Sequence, residues 1–193
     1  MQQPAIDNWL REMVAVIEQT NVAELERAVD LLFDTYRAGR TILVCGNGGS
    51  ASTASHLACD FQKATVAPGA ARVRCISLVD NVASLTAWGN DNSFDEVFSQ
   101  PLRSLAAPGD TLIVISASGN SPNVLCALAA ARDMRVRTIA LLGFGGGQAA
   151  SLVDVPVVLE SRDYGWVESA HLVLEHVLTY ALRDRVRRGA AGG

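Results

Sequence analysis

The sequence has no CxxC pair, no basic tract, no membrane-length apolar run and only three histidines in 193 residues. Each shortage removes a class of function. The four cysteines, Cys45, Cys59, Cys75 and Cys126, sit apart in apolar or helical sequence. That spacing excludes a cysteine-based zinc module and reads as buried free thiols in a reducing compartment. The first twenty residues hold no basic segment followed by an apolar core, so no secretory signal is read there. No stretch is long and apolar enough to suggest a transmembrane helix, so a cytoplasmic protein without a membrane partner is expected. Sixteen Lys and Arg stand against 20 Asp and Glu, a formal net charge of -4. A nucleic-acid partner is therefore not expected. An anion bound by such a chain must be held by local donors rather than by a global field.

Two nucleotide signatures are missing as well. Gly46-Asn47-Gly48 opens a G-x-G, but Ala51 stands where the third glycine of G-x-G-x-x-G belongs, and no G-K-[ST] follows. A small phosphorylated molecule suits these turns better than a dinucleotide or a nucleoside triphosphate, and no nucleotide cofactor is expected.

What is present is ordinary globular material, 49% hydrophobic and 19% charged, enough for one α/β domain over residues 1–193. The organising stretch is Thr41–Asp60. An apolar run, Ile42-Leu43-Val44-Cys45, predicts a buried strand. Gly46-Asn47-Gly48-Gly49-Ser50 predicts a turn, and a helix to about Lys63 follows. Strand, glycine-rich turn and helix together aim backbone N–H groups and a helix N-terminus at an anion.

Ahead of that stretch, apolar spacing predicts a helix over Ala5–Gln19 and a second, capped by Asn21, ending near Gly39. This pair, residues 1–39, either packs on a partner subunit or covers a sheet edge. After it, strands are predicted at Arg72–Leu78, Thr111–Ile115, Thr138–Leu142 and Val155–Leu159. Helices are predicted after Asp80-Asn81, over Phe94–Leu105, over Pro122–Arg132 and over Tyr164–Arg187, with a frayed tail at 188–193. Alternation of this kind gives a parallel sheet with right-handed crossovers, and ligands then sit beyond the carboxyl ends of the strands.

Two polar turns fall at such ends. The second, Ser116-Ala117-Ser118-Gly119-Asn120-Ser121, carries three hydroxyls ahead of a helix. Hydroxyls, turn N–H groups and a helix N-terminus cradle a phosphate without Lys or Arg. All three histidines lie on helices that also carry acids. His56 and Asp60 are four residues apart, and Glu168 and His171 three apart. His176 is eight residues after Glu168, about 12 Å along the axis. Asp60 with a histidine could serve as base and acid. Alternatively His56, Asp60, Glu168 and either His171 or His176 could bind zinc, with His171 the easier partner for Glu168.

These residues resemble the sugar isomerase (SIS) domain family, most closely its phosphoheptose isomerase branch. The resemblance rests on Gly46–Ser50 with His56 six residues on, Asn90-Asp91, Ser116-x-Ser118-Gly119-Asn120-Ser121, Gly145-Gly146-Gly147 and the last helix with His171 and His176. It implies a flavodoxin-like three-layer αβα sandwich with a five-stranded parallel sheet. It further implies a homotetramer with active sites at subunit interfaces and an aldose–ketose isomerase acting on sedoheptulose 7-phosphate. Asn47, Gly48, Gly49, Ser50, Asp91, Ser116, Ala117, Ser118, Ser121 and Glu168 would bind the sugar phosphate. Asp60 falls where the family has its catalytic Glu, and His176 where it has its catalytic His. Zinc in some members maps to His56, Asp60, Glu168 and His176. Asp60 is one methylene shorter than the family residue, and Glu168 stands at a position commonly Gln. The resemblance also covers non-catalytic SIS modules that bind partner proteins, and isomerases of other sugar phosphates.

Overall fold

The computed structural model describes residues 6–191. The apolar run Thr41–Gly46 (β1) pairs in parallel with Arg74–Ser77 (β2) on one side and Thr111–Ser116 (β3) on the other. Arg137–Leu142 (β4) and Val155–Val158 (β5) continue the sheet in the order β2-β1-β3-β4-β5. β1 and β3 are buried along their whole length, as central strands covered on both faces must be. β2 alternates exposed and buried residues, the pattern of an edge. β5, the other edge, is where Pro156 is tolerated.

Seven α-helices cover the sheet. Ile6–Glu18 (α1), Val22–Arg37 (α2), Gly49–Lys63 (α3) and Tyr164–Ala191 (α7) lie on one face and share the core that holds Ile42 and Val44, with α1 packed on α7. Val82–Asp91 (α4), Ser99–Leu105 (α5) and Pro122–Asp133 (α6) pack on the other, onto Leu43 and Cys45. Strand alternation alone decides which core each side chain enters. The expected αβα sandwich with two extra N-terminal helices is present. Asn21 caps α2 by accepting from the Ala23 and Glu24 N–H groups, and Asn81 caps α4 by accepting from Ser84.

Three expectations need correction. The helix expected over Phe94–Leu105 is split into a 3-10 turn at Phe94–Glu96 and α5 from Ser99. Pro101 supplies the reason: it has no N–H and belongs in a first turn, which starting α5 at Ser99 provides. The last helix does not fray at 188 but continues to Ala191. Val186 is buried and Arg185 Nη1 lies 2.6 Å from Asp30 Oδ1 of α2, so the helix is docked up to that turn, and its last residues run on as helix with residues 187–190 exposed. Ala5 of the expected first helix and residues 192–193 of the expected tail lie outside the described residues. The thiols also divide. Cys45 and Cys75 are buried, and burial pushes the Cys45 thiol up to about 12, but Cys59 is exposed on α3 and Cys126 is half-buried.

Candidate active site

A parallel sheet delivers all its carboxyl ends to one edge. Here β1 and β3 are neighbours, and their following helices, α3 and α6, go to opposite faces. A crevice opens where the connections diverge. Asn47, Ser50, Ser116, Ala117, Ser118 and Ser121, joined by Tyr164 and Glu168 from α7, line a cavity of about 120 Å³ in that crevice. Gly48 is the N-cap of α3 and Gly49 its first residue, packed against the Glu168 carboxylate that lines the cavity. Asp91 is not brought there. It is exposed at the end of α4, where its carboxylate accepts from Asn90 Nδ2 at 2.8 Å.

The cavity is built to donate. Gly48 gives α3 no side-chain cap, and Ser121 makes no capping bond at the start of α6. Two helix N-termini therefore keep N–H groups and positive dipole ends for a ligand. Ser116 Oγ accepts from the Gly119 N–H at 3.2 Å and Ser118 Oγ from Asn120 at 3.3 Å. Those bonds use oxygen lone pairs and leave the hydroxyl protons to donate to an anion.

Two devices hold the turns in register. Asn47 and Asn123 exchange amide hydrogen bonds, 2.9 Å in each direction, tying the first turn to α6. Asn123 is buried and carries no mark in the sequence beyond following Pro122. Asn123→Ala should cost about 1–3 kcal/mol, since it leaves the Asn47 amide half unpaired. Thermal melts and steady-state kinetics check this, with KM for a phosphosugar expected to rise more than kcat falls. The second device is the third glycine-rich turn. Gly143 N–H donates to the Ala117 carbonyl, Ala149 N–H to Gly119, and Gln148 N–H to Asn120 Oδ1, each at 3.0 Å.

The histidines separate into two environments. α7 runs beside α3, and one donor atom from each of His56, Asp60, Glu175 and His176 lies within 4.8 Å of the other three. Asp60 Oδ2 is 3.8 Å from His56 Nε2 and 3.9 Å from His176 Nε2. The two rings meet edge-on, with centroids 5.1 Å apart. His176 Nδ1 lies 2.9 Å from the Leu172 carbonyl, which can only accept. Nδ1 therefore carries the proton, and Nε2 keeps a lone pair facing Asp60. Burial pushes the Glu175 carboxyl up, and the His176 and His56 charges pull it back.

Of His56, Asp60, Glu168 and His176, the structure brings His56, Asp60 and His176 together and sets Glu175 beside them. Glu168 lies two helical turns away, packed so closely on Gly49 that a Cβ there would overlap its carboxylate. The 12 Å rise separates it from His176 as helix geometry requires. His171 is not in the group either. It is fully buried with neither ring nitrogen hydrogen-bonded, and burial pushes its imidazolium down to about 4 against a smaller upward pull from the Leu142 backbone. The sequence did hold a signal for Glu175: an acid beside His176 in an otherwise apolar run, seven residues after Glu168 and so on nearly the same stripe. Two imidazoles and two carboxylates are a donor set that suits a divalent transition ion.

A family model described as "SIS domain" matches residues 8–143. The chain belongs to the SIS domain family. Its relatives place it in the phosphoheptose isomerase branch. It is 38% identical over 195 residues to the phosphoheptose isomerase of Trichlorobacter lovleyi, covering 98% of this chain and 96% of that one. It is 38% identical over 167 residues to the phosphoheptose isomerase of Geobacter sp. (strain M21), covering 86% of each. Among solved structures, phosphoheptose isomerase GmhA from Neisseria gonorrhoeae superposes with a TM-score of 0.86 at 31% identity, covering 95% of this chain and 100% of that one.

Proposed function

We propose that this chain is a phosphosugar isomerase that converts sedoheptulose 7-phosphate to a heptose 7-phosphate by moving a proton between C1 and C2 of the opened sugar. One observation carries the reading. The donor-lined cavity and the acid–histidine group share the same pair of helices, with Ser50 and His56 about 9 Å apart along α3. That is a distance an extended seven-carbon chain with a terminal phosphate spans.

In this reading Ser50, Ser116, Ser118 and Ser121 bind the phosphate with the backbone N–H groups of Asn47, Gly48, Gly49 and Ala117. Asp60 takes a proton from C1 and returns it to C2, and His176 moves a proton between O1 and O2. Asp60 Oδ2 faces both histidines, which leaves its other oxygen for the substrate. Glu168 orients a sugar hydroxyl from the cavity wall. Asp91 does not line the cavity, and a role for it in substrate binding would come from a neighbouring subunit's site. His56, Asp60 and His176 would hold zinc, which when bound supplies Lewis-acid polarisation of a sugar oxygen.

A homotetramer is supported by unpartnered apolar surface. Ile6, Leu10 and Val14 of α1 and Val173, Val177 and Tyr180 of α7 are exposed. An apolar groove of about 650 Å³ runs between α2 and α7. Among the described residues no helix is long and apolar enough to cross a membrane. Four free cysteines fit a cytoplasmic location. A non-catalytic SIS module would have no use for a polar acid–histidine group at this place. The test is turnover of sedoheptulose 7-phosphate before and after chelation. Aldose formation that chelation removes is expected, and absence of turnover with tight capture of a partner protein would favour the module.

A further inference from the structure

Tyr164 stands at the outer end of the phosphate cavity. It is the first residue of α7 and lines the cavity with Glu168. α3 and α7 run side by side, with Gly49 against Glu168 at their starts and His56 and Asp60 beside His176 further on. Both helices therefore lead from the cavity toward the acid–histidine group. Tyr164 precedes Glu168 by one turn, about 6 Å farther from His176 along the axis. The ring is more than half exposed, yet it is held in place. It meets the Phe144 ring with centroids 4.7 Å apart. Phe144 is half-buried against the core under α7, and its N–H donates to the Ser161 carbonyl at 2.9 Å. Asp163 Oδ1 accepts from the Trp166 N–H at 3.1 Å, which fixes the start of α7. Phe144 itself sits at φ +53, a left-handed conformation that a bulky residue rarely adopts. Strain of that kind gathers at ligand clamps. Here it keeps an aromatic ring behind Tyr164, where a glycine would have been unstrained and would have left Tyr164 unsupported.

We propose that Tyr164, braced by Phe144, is a specificity residue that closes the outer end of the phosphate cavity, so that a bound phosphate must be the terminus of its molecule. The inference rests on reading the cavity as the phosphate site of a phosphosugar enzyme. The cavity holds about 120 Å³, well below the range of about 300–1,000 Å³ for pockets that enclose a whole small molecule. It therefore takes one end of a ligand. A phosphate monoester leaves the cavity through a single ester oxygen, and its organic part runs inward along α3 and α7 toward the histidines. A phosphodiester carries a second organic group, which must leave on the side where the Tyr164 ring stands. The ligand class is thus a monoester of a sugar or polyol, and diesters and nucleoside-diphosphate sugars are turned away. Tyr164 acts here by occupying space, so the ring is required and the hydroxyl is not. Building a clash against the wrong ligand is a common route to specificity.

The experiment titrates a matched pair of probes, glycerol 3-phosphate and its diester bis(glycerol) phosphate, into full-length wild type, Tyr164→Ala and Tyr164→Phe, followed by NMR. The diester carries less negative charge, a handicap shared by all the proteins. The quantity read is therefore the ratio of Kd values, diester over monoester, in each. Wild type should bind the monoester and discriminate against the diester. Tyr164→Ala should lower the ratio at least about tenfold, the scale on which pocket shape separates ligands. Tyr164→Phe keeps the ring and should keep the wild-type ratio. A merely structural role would weaken both probes together and leave the ratio unmoved. Tyr164 is too exposed to carry much of the core, so Tyr164→Ala should melt within about 4 °C of wild type. A ratio in Tyr164→Ala within about threefold of wild type would overturn the proposal, as would a ratio in Tyr164→Phe as low as that in Tyr164→Ala. Wild type that binds both probes equally would overturn it and leave the phosphosugar reading standing. Wild type that binds neither glycerol 3-phosphate nor inorganic phosphate would overturn both.

Discussion

Asp60→Asn abolishes turnover and leaves phosphate binding intact, with kcat expected to fall by at least about 10²–10⁴-fold, the range for a lost general base. The substitution keeps the volume and one oxygen of the side chain but removes the charge that accepts a proton. It also removes the carboxylate oxygen that lies 3.8 Å from His56 Nε2 and 3.9 Å from His176 Nε2. The phosphate turns lie at the start of α3, ten residues before Asp60, so about 15 Å of helix separates the change from the Ser50 cradle. Steady-state kinetics on sedoheptulose 7-phosphate read the first effect. Calorimetric titration with inorganic phosphate reads the second, and its Kd should match wild type. Unchanged turnover in this variant would sink the assignment of Asp60 as base.

Gly119→Ala should unsettle the second phosphate turn as severely as any single methyl group can. Gly119 sits at φ +62, where an L side chain is strained. A Cβ there would also overlap the Gly146 carbonyl oxygen of the neighbouring turn. That neighbour cannot move away cheaply, because on either side of Gly146 the Gly143 and Ala149 N–H groups donate to the Ala117 and Gly119 carbonyls of the second turn. Strain and overlap together should cost about 3 kcal/mol, a fall in Tm of roughly 6–12 °C for a chain of this size. Relaxation would displace the Ser118 and Ser121 donors, so phosphate affinity should fall with stability. A melt and a phosphate titration on one preparation check both. A melting point within about 1 °C of wild type would show that the two turns do not brace one another.

Much of this architecture was legible before any coordinates. Continuous apolar runs such as Leu112–Ile115 can only be central strands, and glycine- and serine-rich segments directly after them can only be turns at the ligand edge. The cavity residues Asn47, Ser50 and Ser116–Ser121 were found that way. What failed did so for identifiable reasons. Pro101 shifted a helix start that apolar spacing alone ran through. The tail from Arg188 was expected to fray as a chain terminus, but the helix, anchored one turn earlier by Val186 and the Arg185–Asp30 pair, runs on to Ala191. Glu175 was overlooked because its signal, an acid beside His176 in an apolar run, says nothing about which side chains lie opposite it. Only the register of α7 against α3 brings it to His56 and Asp60 and takes Glu168 to Gly49. The link between the second and third turns was equally hidden, since it is made by backbone groups.

The account stands most directly on one measurement: incubate the purified full-length protein with sedoheptulose 7-phosphate and follow the sugar by NMR, before and after chelation. The account predicts an aldose heptose 7-phosphate growing in at the expense of the ketose, with turnover lost when metal is removed and restored when it is returned. A sample that binds inorganic phosphate, retains its metal and yet leaves sedoheptulose 7-phosphate unchanged would contradict it.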